Sequence, residues 1–479
     1  MKQADGVTIV EDSLATSFAR ENFGGAPLGH KARTAALVRC AERICRHPGG
    51  TLPDKMGNTT AYKSMDALMN RAEVTHGSVL AAHLQQTQDK MAAAAGVVLI
   101  LHDTTELDYS GLSMAELGPI GNGSRRGYLC HNSLAVDPHN REALGLVQQI
   151  LHPRQPVPAK ETVQAKRGRN SRESRLWSRA VLALPAVPPG KLWIDVADRG
   201  ADLFEFLATE QQLGRKCLVR ASQNRRICVG HGASHGASVA PQKLFGYLRS
   251  LPAEGTKQKK IFDHVHGDHR QMTLSIAYAA LQLLPPRVRK GEYEAKPLPV
   301  WGVRLWEADP PPDVKPVEWF LITGEPITTL AQAWQTSSWY ECRFVIEEYH
   351  KAQKTGCQVE DLQFETAQAL QPMIALLSVI AVQLLNLRQA CRQPDADTRK
   401  ATEVVDKTYE EILRAQRYKQ PRGELTVKEF YMAVARLGGH MNRKSDGNPG
   451  WLTLWRGWMK LQLMVTGAEA DRRRQKIAG

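Results

Sequence analysis

The sequence predicts an α/β protein in which helical segments at both ends flank a central region rich in strands. Three observations lead to this prediction. Apolar runs separated by turn residues occupy the middle of the chain from Gly96 onward. The first 90 residues and the part after about residue 390 instead carry apolar residues at helical spacing. The length, 479 residues, is enough for two to four domains.

The order of elements in the central region is the most informative part of this pattern. The run GVVLILHDTTELDYS is apolar up to Asp103, and GYLCHNSLAVDP and ALGLVQQILHP follow as two more strands of a meander. A helix is then expected over ESRLWSRAVLAL, a strand over KLWIDVADRGAD that ends in Asp198, and a helix over LFEFLATEQQLG. Three strands, a helix and a strand, with carboxylates at the ends of the first and fourth strands, is the core order of the ribonuclease H-like fold.

Further along, residues 216–325 are rich in strand signals and Gly or Pro turns, and they show no long helix, so we expect a β-rich insertion. Helices follow over TLAQAWQTSSWYECRFVIEEYHKAQKTG and ETAQALQPMIALLSVIAVQLLNLRQA, then a polar linker, CRQPDADTRK, and more helix. The predicted domains are therefore a helical one over 1–90, an α/β one over 91–390 and a helical one over 391–479.

The charge of the chain suggests a polyanionic partner. Lys and Arg number 63 and Asp and Glu 49, a net charge of +14. Nucleic acid and an acidic membrane surface are both compatible with this excess. The N-terminal segment LGHKARTAALVRCAERICRHPGG fits a basic amphipathic helix, which either contacts DNA or is a solvated surface. Its expected apolar face comprises Leu37, Cys40, Ala41, Ile44 and Cys45.

Several other classes of protein are disfavoured. The N-terminus has no basic segment followed by an apolar run, so we do not expect a secretory signal. The apolar stretch from Met373 to Leu387 is shorter than the roughly 20 residues that span a bilayer, which predicts a buried helix and no membrane. The eight cysteines form no Cys-x-x-Cys pair, and there is no glycine-rich phosphate loop. We therefore expect a cytoplasmic location.

The strongest local signal is a polar stripe in WYECRFVIEEYHKAQKTG. At about 100° per residue, a phenol, a guanidinium, a carboxylate and one ammonium group fall within a stripe about 60° wide, and a second ammonium group, that of Lys351, joins it. These belong to Tyr340, Arg343, Glu347, Lys351 and Lys354. Such a face suits a site where a carboxylate binds metal and cations hold phosphates. It also suits an exposed face with Glu-Lys pairs at helical spacing.

The chain resembles the bacterial insertion-sequence transposases of the IS-four type, which are cut-and-paste DDE transposases. The pattern Tyr-x2-Arg-x3-Glu-x6-Lys is their signature. HDTTELDY, SRRGYLCHNSLAVD, LWIDVADRGADLFEFL, LVRAS, EWFLITGEPITTLAQA and RFVIEEYHKAQKTG resemble their core segments in the same order. YMAVARLGGHMNRKSDG and WLTLWRGW resemble their C-terminal dimerisation segment, whereas the first 90 residues match more loosely.

The resemblance implies a catalytic triad of Asp103, Asp198 and Glu347, which also binds metal. Hard carboxylate oxygens hold Mg²⁺ while leaving positions for water and phosphate oxygens. Two ions about 3.5–4 Å apart can serve both the attacking and the leaving oxygen. The expected cofactor is therefore a pair of Mg²⁺ ions in each active site, with Mn²⁺ as a substitute.

The same resemblance implies the DNA contacts. Tyr340, Arg343, Lys351 and Lys354 match residues that handle phosphates at the cleaved strand end. Trp319 matches a tryptophan that stacks near a base flipped out of the transposon end; otherwise it is an aromatic of the insertion core. Arg220 in LVRAS matches a DNA-contacting arginine.

The function implied is cut-and-paste DNA transposition in a bacterial cell, with nucleoid association through DNA. It proceeds by nicking of the transposon end, hairpin formation, hairpin opening and strand transfer. The partners are transposon-end DNA with terminal inverted repeats, target DNA, and a second copy of the chain in a synaptic homodimer. Two alternatives stay open: a metal-dependent nuclease without strand transfer, and an inactive DNA-binding descendant. The basic loop at 158–175 departs from the family and leaves the recognised end sequence open.

One further cluster resembles a metal site. FDHVHGDHR brings together Asp263, His264, His266, Asp268 and His269, and His231 and His235 could add ligands. Familiar zinc spacing is absent, so we expect a polar hairpin there instead. Asp195, Asp202 and Glu348 lie near the triad in sequence; of these Asp202 could support the site, but we do not expect it to be a ligand.

Overall fold

The computed structural model describes residues 13–47, 50–155, 171–229, 241–263, 268–287, 293–419, 421–443 and 448–478, and also residues 162, 165, 169 and 446. Its backbone forms two compact units. The first comprises Met1–Thr87, Tyr109–Glu116 and Glu348–Gly479, and the second Gln88–Asp108 and Leu117–Glu347. The division into three domains at residues 90 and 390 stays a prediction.

The second unit is built on one mixed sheet, which confirms the α/β class. The described residues contribute twelve strands. They are β1 Val98–Asp108, β2 Gly118–Ile120, β3 Arg125–Val136, β4 Ala143–His152, β5 Trp193–Ala197, β6 Lys216–Arg220, β7 Arg226–Cys228, β8 Gln242–Lys243, β9 Gly255–Asp263, β10 Asp268–Leu283, β11 Leu298–Glu307 and β12 Glu318–Thr323.

The sheet order is β2-β3-β1-β5-β6-β12-β11-β10-β7-β8, with β4 on β3 and β9 on β10. Strand β3 is antiparallel to β1 and β4. Strand β5 is parallel to both β1 and β6. The apolar character of β5 fits this central position, because a parallel strand covered on both faces reads as a continuous hydrophobic run; all five of its residues are buried.

The helices of this unit begin with α6 Leu176–Leu182, α7 Phe204–Gln212 and α8 Leu244–Ser250. Trp177 of α6 and Phe206 of α7 pack with Val219 of β6 in one apolar core. Burial of such side chains stabilises each by about 1.5–3 kcal/mol. The predicted helices over ESRLWSRAVLAL and LFEFLATEQQLG are therefore confirmed in place.

The first strand extends further than the apolar run predicted. We expected a strand that ends in Asp103, but β1 continues to Asp108. Its antiparallel pairing with β3 persists from Asp103↔Asn132 to Asp108↔Gly127, whereas its pairing with β5 stops at His102↔Ala197. Apart from the buried Leu107, the residues after Asp103 are half-buried and polar, so hydrogen bonding to β3 accounts for most of the extension.

The described residues of 216–325 are rich in strands, with one correction. Strand β6 pairs with β5 and so belongs to the sheet centre; the helix found between the strands, α8, is short, as the absence of a long-helix signal allows. The sequence did not indicate β9, because its KQKK stretch lacks apolar alternation. Among the described strands β9 pairs with β10, and its exposed lysines suit an edge strand, where charge discourages pairing with another chain.

The predicted long helix after the insertion is divided in two. Helix α9 covers Leu330–Cys342 and α10 covers Phe344–Lys351, with Arg343 between them. A π-helical turn, Ala352–Gly356, follows. Because a π-helical turn changes the rotation per residue, the stripe drawn for a single regular helix does not extend to Lys354, whereas Lys351 still lies on the same regular helix as Glu347.

The first unit is helical in its described residues, as predicted for the two ends of the chain. Its helices include α1 Leu14–Phe23, α2 Lys31–Arg46, α3 Leu52–Met56, α4 Thr59–Met69, the start of α5 His76–Ala93, α11 Ala367–Ala390, α12 Lys407–Arg417, α13 Val427–Leu437 and α14 Trp451–Ala478. Helix α2 buries the predicted face at Leu37, Cys40, Ala41 and Ile44, with Cys45 only half-buried.

Helix α11 contains the long apolar stretch of the sequence. By length and composition it could cross a membrane, but 78% of its most apolar window is buried inside the structure. This burial is that of a core helix, and α11 is the only candidate span among the described residues.

Helices α13 and α14 cross at two glycines, Gly438 and Gly457. A Cβ on Gly457 would lie 1.8 Å from the carbonyl oxygen of Val434, and one on Gly438 would lie 1.8 Å from that of Thr453. Only glycine permits so close a backbone approach.

Candidate active site

Asp103 and Asp198 come together at the point where the parallel pairing of β1 and β5 stops. His102 and Ala197 are the last paired residues, and the next residue on each strand is the predicted catalytic aspartate. Since cross-strand neighbours share a face of the sheet, the register aligns the two carboxylates. The backbone N–H of Thr104 donates to Asp103 Oδ1 at 2.8 Å, and that of Gly200 donates to Asp198 Oδ1 at 2.7 Å.

Arg343 connects the strand carboxylate with the helical one. Its Nη2 forms a salt bridge with Glu347, and its Nη1 lies 3.7 Å from Asp103 Oδ2. The break between α9 and α10 falls at Arg343, so the guanidinium and Glu347 lie one turn apart at the start of α10. This arginine supplies the positive charge that opposes the carboxylates.

The pKa of Asp103 reports the crowding of these carboxylates. The pKa of Asp103 is raised from 3.8 to about 6, mainly by burial and then by the negative charge of Asp198, while the Thr104 N–H and Arg343 act in the opposite direction. Glu347 also raises it. Asp103 therefore lies within electrostatic range of both other predicted triad members, Asp198 and Glu347.

The carboxylates do not form a ready-made metal-ligand set. In the part of the chain that the structure describes, no three His, Cys, Asp or Glu side chains are grouped closely enough to hold a metal ion. The donor chemistry nonetheless fits a divalent cation of the magnesium type, because all three side chains offer hard oxygens and their mutual repulsion is relieved by positive charge.

Tyr340, Trp319 and Arg220 form a second cluster of predicted site residues. The rings of Trp319 and Tyr340 meet edge to face at 5.2 Å, and the Arg220 guanidinium lies 5.6 Å from the centre of the Trp319 ring. Arg220 also donates to the carbonyl oxygen of Glu318 at 3.3 Å. Burial raises the pKa of the Tyr340 phenol, although Arg343 and Arg220 lower it, so the phenol stays protonated at neutral pH.

Trp319 is half-buried, and Arg220 is half-buried beside it. Burial lowers the pKa of Arg220, and the neighbouring guanidinium groups of Arg199 and Arg343 lower it further. Arg220, within electrostatic range of Arg199 and Arg343 and beside the rings of Trp319 and the buried Tyr340, makes this cluster suited to a phosphate and a base.

Lys351 and Lys354, the remaining predicted contacts, belong to the first unit and have acidic partners there. Lys351 Nζ lies 3.2 Å from Glu348, three residues earlier, and Lys354 Nζ lies 3.1 Å from Glu360. The Glu348–Lys351 pair has helical spacing but Glu348 is buried, and Lys354 and Glu360 are six residues apart, so neither pair is that of the exposed-face alternative. Neither pair excludes a phosphate as a competing partner.

A buried network behind Asp103 was not indicated by the sequence. His102 Nε2 lies 2.8 Å from Asp195 Oδ1, Arg215 Nε donates to Asp195 Oδ2 at 2.8 Å, and Ser133 Oγ lies 2.9 Å from His102 Nδ1. Burial alone would raise the pKa of Asp195, but Arg215 and His102 hold it below its usual value. The network joins β1, β3 and β5. Its residue on β1, His102, directly precedes Asp103, so the two side chains point to opposite faces of the sheet.

The acidic neighbours that we did not expect to be ligands are engaged elsewhere. Asp195 is in the network described above, and Asp202 binds the loop after β6. In the first unit Glu348 forms salt bridges with Arg388 and Lys351 and accepts a hydrogen bond from Trp451.

The histidine-rich segment is only partly described. His264, His266, His231 and His235 lie outside the described residues. Asp263 forms a salt bridge with Arg270 at 3.3 Å, and Asp268 and His269 begin β10 opposite it, which fits the expected hairpin.

No protein-family model matches this chain.

Proposed function

We propose that the protein is a DNA transposase that catalyses cut-and-paste transposition with the triad Asp103, Asp198 and Glu347. The observation that carries this proposal is the alignment of Asp103 with Asp198 at the end of the parallel β1–β5 pairing, with Arg343 reaching from Asp103 to Glu347. Three carboxylates on two strands and a helix, faced by arginines and aromatic rings, suit phosphoryl transfer on a nucleic acid.

The sheet supports a ribonuclease H-like core as part of this proposal. In the order β4-β3-β1-β5-β6, strand β3 is antiparallel to its neighbours β4 and β1. The next two strands, β5 and β6, run parallel to β1. This is the arrangement expected of that core, with the strands after β6 as the insertion. The helix α10 then supplies the third carboxylate.

The residues that would hold Mg²⁺ are Asp103, Asp198 and Glu347. Bound there, the metal would lower the pKa of an attacking water or hydroxyl and neutralise charge on the phosphate. Arg343 has a second duty in this proposal, since a guanidinium that binds carboxylates can also bind phosphate oxygens in a bidentate manner.

The other side chains act on the DNA strand itself. Tyr340, kept protonated, can donate a hydrogen bond to a phosphate oxygen, and Arg220 adds a positive charge beside it. Trp319 offers a ring face to an unstacked base, which would help a strand bend sharply into a hairpin. Lys351 and Lys354 would exchange their carboxylate partners for phosphates.

The proposal extends to the helical parts and to the net charge of +14. The helices of residues 1–90 would recognise the transposon end, and those of 391–479 would join two copies of the chain into a synaptic dimer. Phosphate neutralisation by many basic residues predicts binding that weakens steeply with salt.

The test is a cleavage assay on linear DNA that carries the inverted repeats flanking the coding sequence. With Mg²⁺ we expect nicked, hairpin and flush-cut ends from the wild type, and none from Glu347→Gln. Glu341→Gln is the matched control. Glu341 is on α9, but its carboxylate forms a salt bridge with Lys259 at 2.6 Å and does not belong to the predicted triad. Its activity should equal the wild type.

Cleavage that survives Glu347→Gln would contradict the triad. Cleavage without any hairpin or joined product would favour a metal-dependent nuclease. Binding without cleavage would favour an inactive descendant.

A further inference from the structure

Asp202 is a buried carboxylate whose two oxygens are bound by one loop. It is 1% exposed. Its Oδ2 accepts hydrogen bonds from the backbone N–H groups of Ser222 and Gln223, each at 2.7 Å. Its Oδ1 accepts one from Arg225 Nε at 2.9 Å, in a salt bridge whose arginine side chain is 8% exposed. These bonds leave Asp202 poorly placed to bind a metal, so its part in the site is a different one.

The same residues make further bonds that tighten the connection. The Gln223 side chain donates to the Asp202 carbonyl oxygen at 2.9 Å, and Arg225 donates to that same oxygen. Ser222 Oγ donates to the carbonyl oxygen of Arg199 at 3.4 Å. The loop is therefore bound both to Asp202 and to the residue that directly follows Asp198.

This loop starts directly after Arg220, the last residue of β6. Asp202 ends the single 3₁₀ turn Arg199–Ala201, and Asp198 caps the start of that turn. The loop directly follows Arg220, the predicted DNA contact, and the turn directly follows Asp198, the second predicted catalytic carboxylate. Asp202 is the side chain that bonds one to the other.

We propose that Asp202 is a positioning residue for the active site, which fixes Arg220 relative to Asp198 and so aligns the phosphate of the bound strand. This inference rests on the proposed function. Loops adjoining a site are ordinarily the mobile part of a fold, and a charged anchor with two backbone N–H groups and one guanidinium restrains this one. Misplacement of a reacting group by about 1 Å can cost about 100-fold in rate.

The first measurement is independent of catalysis. Hydrogen exchange of a peptide over 218–228 reports the Ser222 and Gln223 amides directly. We expect faster exchange in Asp202→Ala than in the wild type, with other peptides of the sheet unchanged.

The second measurement is nicking of end DNA in single-turnover conditions. We expect Asp202→Ala to lower the rate in the bound complex by about 10- to 100-fold, with the Kd for the DNA end changed by less than about threefold. Because Asp202 is proposed to act through Arg220, its effect should largely vanish in an Arg220→Gln background. A double-mutant cycle measures that coupling.

Glu307→Gln is the matched control. Glu307 is equally buried, forms a salt bridge with Arg270 and accepts a hydrogen bond from the Val317 N–H at 3.4 Å, but it is bonded to neither segment. It should nick at the wild-type rate. If Asp202→Ala does not fold, Arg225→Gln takes its place, since it keeps the carboxylate and removes one of its three partners; a slower rate with unchanged Kd is again expected.

The outcomes separate the two proposals. A wild type that does not cut DNA overturns the proposed function. A wild type that cuts, with Asp202→Ala cutting equally fast or with additive losses in the cycle, overturns the positioning role. Faster exchange together with a rate loss that depends on Arg220 supports it.

Discussion

The guanidinium of Arg343 lies 3.7 Å from the carboxylate of Asp103, while its other end binds Glu347. Asp103 on a strand and Glu347 on a helix, separated by 244 positions, are thereby held in one electrostatic cluster. The cation offsets a repulsion that is otherwise evident in the raised pKa of Asp103. Two predictions follow from this relationship.

The first concerns Arg343→Gln. Without the guanidinium, the carboxylates repel one another uncompensated, so the free energy of unfolding at pH 7.5 should fall by about 1–2 kcal/mol. The loss should be smaller at pH 4.5, where Asp103 is protonated. Millimolar Mg²⁺ should raise the melting temperature more in this variant than in the wild type.

Thermal unfolding with and without Mg²⁺ measures this. Lys259→Gln is the control, because Lys259 is a half-exposed partner of Glu341 and such pairs contribute about 0–1 kcal/mol. An equal loss of unfolding free energy in both variants would show that the ion pairs of Arg343 contribute no more than an ordinary surface pair.

The second prediction concerns Asp103→Asn in metal-free buffer. The folded-state pKa of Asp103 is raised from 3.8 to about 6, so its favourable contribution is present below pH 4 and is lost as pH rises through about 6. Removal of the charge should therefore stabilise the protein by about 1–3 kcal/mol at pH 7.5 and by little at pH 4. Denaturant unfolding at the two pH values decides it; a variant less stable than the wild type at pH 7.5 would contradict the assignment.

A third prediction separates the two interpretations of Trp319. If its ring stacks on a flipped base, Trp319→Ala should reduce hairpin formation by about 5- to 150-fold, since such stacking contributes about 1–3 kcal/mol. Nicking should be much less affected, and Trp319→Phe should recover part of the loss. Denaturing gels of end-labelled DNA distinguish the two products.

Trp334→Ala is its control. Trp334 is also half-buried and also has a cation over its ring, Lys257 at 4.7 Å. If both variants lose nicking and hairpin formation equally, Trp319 is a packing residue.

A fourth prediction tests the crossing of α13 and α14. Gly457→Ala places a Cβ 1.8 Å from the Val434 carbonyl oxygen, so the helices must separate, and we expect a loss of more than about 3 kcal/mol in stability. Gly467→Ala on the same helix meets nothing within 4 Å and should be neutral or stabilising by up to about 1 kcal/mol. Equal melting temperatures for the two variants would contradict the crossing.

The sequence predicted the elements that depend on apolar periodicity. Val98–Leu101 is a continuous apolar run, Trp193–Ala197 is apolar except for Asp195, and α11 is predominantly apolar. The sequence missed features that depend on hydrogen bonds between distant segments. The extension of β1 past Asp103 follows from pairing with β3, and the lysine-rich strand β9 follows from pairing with β10.

The candidate site divides in the same way. The triad and the aromatic contacts were predicted from a motif, and the register shows why Asp103 and Asp198 can be neighbours. The break at Arg343, the Asp195–His102 pair and the loop bonds of Asp202 lie outside any motif. The Asp195–His102 pair and the Asp202 bonds join residues 20 or more positions apart, and the break at Arg343 changes a single helical turn. A pattern of spacings in the sequence predicts neither kind of feature.

We propose above all that the three carboxylates catalyse the joining of transposon ends to target DNA. The most direct measurement is strand transfer from a pre-cut, labelled transposon end into a supercoiled plasmid with Mg²⁺. We expect a joined product from the wild type and none from Asp103→Asn, Asp198→Asn or Glu347→Gln, although all three bind the end as tightly as the wild type. A wild type that binds and cuts ends but never joins them, or joining that survives any of the three substitutions, would contradict this account.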